Sequence, residues 1–165
     1  IHTEPVYHLY HSRGPTVETK EFDELNNHPF FFGGWIVAHN GIISNFEKLA
    51  KEHFSNENFE GRTDSCIIPR MLDMFGIEGG PEKLQGTFAF WAYNIRTNNL
   101  HLVRNSCTLF ANWFTGDFSS TEFKGSIPLE EGVLHTVSYN KNHLTRDTRI
   151  KAKHRFNFKS PYFIF

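Results

Sequence analysis

At Asn40-Gly41 the chain sets a side-chain amide beside a residue with no side chain, directly after the apolar run of residues 35–38. An Asn amide and a Gly backbone N–H at one point are two donors for the oxygen that becomes negative when a carbonyl is attacked. An isolated Asn-Gly reads equally well as a strand-to-helix turn. Its chemistry therefore rests on what the surrounding elements bring to it.

Those elements are marked by periodicity. Residues 6–13 read as a strand closed by Gly14-Pro15, and residues 17–28 are polar and irregular up to His28-Pro29. Residues 35–39 form the strand that delivers Asn40. A helix is expected next: Ser44 and Glu47 have the spacing of a capping box, and Ile43, Phe46, Leu49, Ala50 and Phe54 recur at helical intervals. Thr63 or Asp64 is placed to cap a second helix with Ile67, Ile68, Met71, Leu72 and Phe75 on its apolar face, Pro69 removing one early hydrogen bond. The period then changes. Residues 86–95 and 100–104 read as a hairpin around Thr97-Asn98-Asn99, with further strands at 109–114, 120–123 and 133–139. Two helices among sheet segments, followed by a strand-rich half, predict an α+β fold.

Composition narrows the functional classes. The 165 residues suit one domain, and a formal charge of −1 gives no global pull toward nucleic acid or an anionic membrane. No apolar run approaches the roughly 18 residues of a membrane span. Cys66 and Cys107 are unpatterned, which fits a reducing compartment and a cytoplasmic location. His8 and His11 fall on opposite sides of a strand, and no Cys/His pair has zinc-finger spacing, so no metal is expected. Near the end, Arg146, Arg149, Lys151, Lys153, Arg155 and Lys159 are interleaved with Phe and Tyr. Such a stretch suits either a single-stranded nucleic-acid groove or a terminal strand whose rings pack on the core, and the second is preferred.

Four segments taken together go further: His11-Ser12-Arg13-Gly14-Pro15-Thr16, His28-Pro29, residues 38–46 (Ala-His-Asn-Gly-Ile-Ile-Ser-Asn-Phe), and Arg62-Thr63-Asp64-Ser65. Their order and spacing resemble the glutaminase domain of class II glutamine amidotransferases, the N-terminal-nucleophile type, nearest to that of glucosamine-6-phosphate synthase. The likeness continues through Leu84-Gln85-Gly86-Thr87-Phe88-Ala89-Phe90, Leu102-Val103-Arg104-Asn105 and Leu129-Glu130-Glu131-Gly132.

The resemblance implies a four-layer αββα sandwich over residues 1–145, here without its first strand and first helix region, with residues 146–165 as a basic and aromatic tail. It implies glutamine as substrate and gives each end of that molecule a holder. Arg13, whose planar guanidinium matches a carboxylate, and Thr16 take the α-carboxylate. Asp64 takes the α-ammonium, and Asn40 with Gly41 takes the oxyanion. The implied reaction is hydrolysis of glutamine to glutamate and ammonia through a Cys thioester, without metal or organic cofactor. The ammonia passes to an acceptor domain or partner protein, onto which the tail would be able to dock.

The family's nucleophile is an N-terminal Cys lying several tens of residues before the His-Ser-Arg segment. Ile1 carries no nucleophile, and Cys66 and Cys107 read as small buried hydrophobes. The expectation is a piece of a longer polypeptide with its Cys upstream; the alternatives are a catalytically inactive relative used as a binding or assembly module, and a hydrolase of another amide. Two departures from the family stand out. Gly14-Pro15 replaces the usual Trp-Ala, and residues 107–114 replace a Gly-rich stretch.

Overall fold

The computed structural model describes residues 7–11, 26–142 and 145–158. Alternation along two neighbouring strands sets the layering. In β2 (Trp35–Ile43) and β3 (Gly86–Asn94), Trp35, Val37, Phe88, Phe90 and Ala92 enter one apolar cluster, while Ile36, Ala38, Ala89, Trp91 and Tyr93 enter another. A sheet with two apolar faces must be covered on both. Helices α1 (Phe46–His53) and α2 (Ile67–Gly79) cover the first face with Leu49, Ala50, Ile67, Ile68, Met71 and Leu72. Leu109, Ala111, Phe118 and Leu129, in and around a small second sheet, cover the other.

The large sheet is antiparallel, with β1 (Phe30–Phe32), β2, β3, β4 (Asn99–Asn105), β8 (Val133–Asn142) and β9 (Thr145–Arg155) side by side in that order. The small sheet sets β5 (Phe110–Ala111) between β6 (Phe118–Ser119) and β7 (Ile127–Pro128). Two antiparallel sheets with helices on the outer side of the larger one fit the α+β class read from the patterning and part of the sandwich that the resemblance implies. Thr145–Arg155, the first part of the basic stretch, is the outer strand of the large sheet, and Phe156 is 6% exposed within its core.

Several local expectations are corrected. Asn40-Gly41 does not end β2; the ladder with β3 runs on to Ile43↔Gly86. Ser44 and Glu47 form no capping box. Asn45 occupies the N-cap position of α1 with its side chain turned elsewhere. Neither Thr63 nor Asp64 caps a helix through its side chain; Asp64–Cys66 is instead a turn of 3-10 helix leading into α2. Pro69 falls in the first turn of α2, where a backbone N–H has no intrahelical partner to lose. Residues 7–11 belong to no strand, residues 109–114 shrink to the two-residue strand β5, and the strand expected at 120–123 is absent, β6 lying just before it at Phe118–Ser119.

Candidate functional site

A cavity of about 1150 Å³ lies against β2 and β3. Its walls include residues 7–11, Thr63, Asp64 and Ser65, and the segment 115–121 around β6. Asn40, Gly41 and Asp64 all line it, so the turn after residue 62 and the middle of β2 face one space. Arg13 and Thr16 lie outside the described residues.

Gly41 is fixed by geometry. Its φ is +125°, in the region L side chains avoid, and a Cβ there would sit 2.0 Å from the Thr87 carbonyl oxygen and 2.8 Å from Phe88 Cα. Gly86, two positions further along the ladder, has the same φ and an equally close approach to the Ile42 carbonyl oxygen, 2.1 Å. The two glycines let β2 and β3 close on each other beside the cavity. Asn40 is exposed at its edge.

Asp64 is half-buried, and its Oδ2 accepts a 2.6 Å hydrogen bond from the Ile43 backbone N–H. That bond aims the carboxylate, and among the described residues no hydrogen bond is made to Oδ1. An ammonium group, with three donors and a full charge, is the natural counterpart. His39 Nδ1 lies 2.9 Å from Ser65 Oγ, with both residues buried. Burial pushes the His39 imidazole down to about 4; the Asp64 carboxylate pulls the other way, and His11 adds to the lowering. His39 is therefore neutral at physiological pH, and its Nε2 is buried without a hydrogen-bond partner among the described residues.

The turn is also held from the helix side. Arg70 donates from a guanidinium NH to the Cys66 carbonyl, ion-pairs with Glu57 at 2.7 Å, and stacks over the rings of Phe32 and Phe59. The thiols have no comparable role. Cys66 is wholly buried and Cys107 half-buried, burial raises both pKa values, and neither lines the cavity.

Asn45 turns out to be a fastener. Its side chain donates to the Lys83 carbonyl at 2.9 Å and accepts from the Gln85 N–H at 2.9 Å, tying the start of α1 to the start of β3. The His39–Ser65 pair and the wall at 115–121 are further features the sequence did not single out. The first is a contact across 26 residues, and the second carries no motif.

Residues 18–120 match a family model described as a glutamine amidotransferase domain. A glutamine–fructose-6-phosphate aminotransferase (isomerizing) of Lactococcus lactis is 32% identical over 90 residues, covering 48% of this chain and 15% of that protein. Its namesake from Listeria monocytogenes is 28% identical over 108 residues, covering 60% and 18%. That from Agrobacterium fabrum is 41% identical over 59 residues, covering 34% and 10%. The chain thus spans less than a fifth of the length of these relatives. In fold it is similar to a solved glutamine phosphoribosylpyrophosphate amidotransferase from B. subtilis. The TM-score is 0.57 and the identity 17%, over 81% of this chain and 32% of that one.

Proposed function

The chain belongs to the glutamine amidotransferase domain family, and from that premise we propose that it forms the glutamine-binding half of a glutaminase site in a longer protein. One observation carries the proposal: Asp64 and the adjacent pair Asn40-Gly41, from two separate segments, line a single cavity. Glutamine enters with its α-ammonium on Asp64 Oδ1 and its α-carboxylate on Arg13 and Thr16. Its side-chain amide then lies toward Asn40 and Gly41.

A Cys thiolate supplied from outside residues 1–165 attacks the amide carbon. The oxyanion that forms is stabilised by the Asn40 amide and the Gly41 N–H. The C–N bond then breaks, nitrogen takes a proton and leaves as ammonia, and a thioester remains. Water adds to the thioester, the C–S bond breaks, and glutamate is released with the thiol restored. Each oxyanion donor is worth about 10²–10³ in rate. The relatives are named for amino transfer from glutamine to fructose 6-phosphate; here the ammonia goes to an acceptor domain or partner protein. The two unpaired cysteines suit a reducing compartment such as the cytoplasm.

Diazo-oxo-norleucine, a glutamine-like electrophile, tests the reading on the full-length protein. Stoichiometric covalent labelling that glutamine suppresses is expected. No labelling, together with no glutamate release, would overturn it.

A further inference from the structure

The most buried polar pair at the cavity is one that glutamine recognition does not itself use. His39 is 3% exposed and Ser65 4%, and both line the cavity. We propose that the His39–Ser65 hydrogen bond is a brace that fixes Asp64 relative to Asn40 and Gly41, making both residues positioning groups for glutamine. This rests on the glutamine-site reading above.

Chain order sets the pair on either side of the site. His39 immediately precedes Asn40 on β2, and Ser65 immediately follows Asp64 in its turn. The 2.9 Å bond between them therefore joins the residue before the oxyanion donors to the residue after the carboxylate. A second tie, Asp64 Oδ2 to Ile43 N–H at 2.6 Å, spans the same gap beyond Gly41. The two ties bracket Asn40-Gly41. They are needed on the side of the turn, because β2 is held by its ladder with β3 whereas the loop before the turn, residues 55–62, is largely exposed.

The chemistry of the pair fits a brace. A neutral imidazole can exchange one hydrogen bond with the Ser65 hydroxyl at Nδ1, as acceptor or as donor according to its tautomer. Nε2 is buried without a partner among the described residues, a cost that an apolar side chain of similar size would not carry. The Nδ1 bond is what an imidazole provides here and a leucine would not. Misplacing a recognition group by about 1 Å can cost roughly 10²-fold in function.

Calorimetric titration of glutamine into the full-length protein tests the brace with four variants. His39→Leu fills the space without the bond, whereas His39→Asn places a side-chain polar atom where Nδ1 lies. Ser65→Ala removes the partner, and Asp64→Asn checks the glutamine reading itself. His39→Leu and Ser65→Ala are expected to weaken binding about tenfold or more, and His39→Asn to recover to within about threefold of the unmodified protein. A role confined to packing reverses the His39 pair, with Leu binding well and Asn poorly, and overturns the proposal. Loss of binding in Asp64→Asn with full binding in Ser65→Ala overturns the brace and spares the glutamine site. No binding by the unmodified protein overturns both. If His39→Leu fails to fold, Ser65→Ala decides.

Discussion

At the residue scale, Gly41 and Asp64 make separable demands. Gly41 must have no Cβ, because φ is +125° and the space is taken by the backbone of Thr87 and Phe88. Gly41→Ala is expected to lower stability by on the order of 2–3 kcal/mol, read as an earlier urea midpoint. Asp64→Asn keeps an oxygen for the Ile43 N–H while removing the charge that an ammonium needs. Glutamine binding is expected to weaken by about 10- to 100-fold with the melting temperature nearly unchanged, since a hydrogen bond to a charged group is worth roughly 1.5–3 kcal/mol. Asn40, Gly41 and Asp64 were singled out because their types and neighbours carry a chemistry and a family likeness; that they line one cavity is seen in the structure, and their role toward glutamine is the proposal. Ser65 as the partner of His39 was not, because a hydrogen bond across 26 residues leaves no periodic mark.

At the scale of elements, period-two and helical spacing located β2, β3, β4, β8 and both helices. Burial of one stripe is what selects those periods. The failures were at the ends. Ser44 and Glu47 have capping-box spacing, yet Asn45 is held between Lys83 and Gln85, and the Ser44 N–H goes to the Gln85 carbonyl. A tertiary tie outcompeted the local cap. Asn45→Ala removes both side-chain bonds at the α1–β3 junction and is expected to cost about 1–3 kcal/mol, checked by equilibrium unfolding. β5, β6 and β7, at two residues each, are too short for a period to register, so the second sheet and the cavity wall it carries were only partly visible in the sequence.

For the whole molecule, the sandwich places its site beside a histidine that folding keeps neutral, and stability should carry that signature. Unfolded His39 titrates near 6.5 and folded His39 near about 4. Its contribution is therefore complete above about pH 6.5, falls as pH drops toward about 4, and is constant below, a loss on the order of 3 kcal/mol. His135, also lowered by burial, adds in the same direction. The check is the difference in melting temperature between the unmodified protein and His39→Asn, which is expected to change across that window and to stay flat above pH 7. The α+β class followed from patterning, and the two-sheet layering from the resemblance. The facing of Asp64 onto β2 did not, because it depends on how a 3-10 turn docks. That facing is tested most directly by the kinetics of glutamate release from glutamine by the full-length protein. Asp64→Asn is expected to raise KM, and Asn40→Ala to lower kcat by about 10²–10³ with KM little changed. Unchanged kcat and KM in both variants would contradict a glutamine site built on these residues.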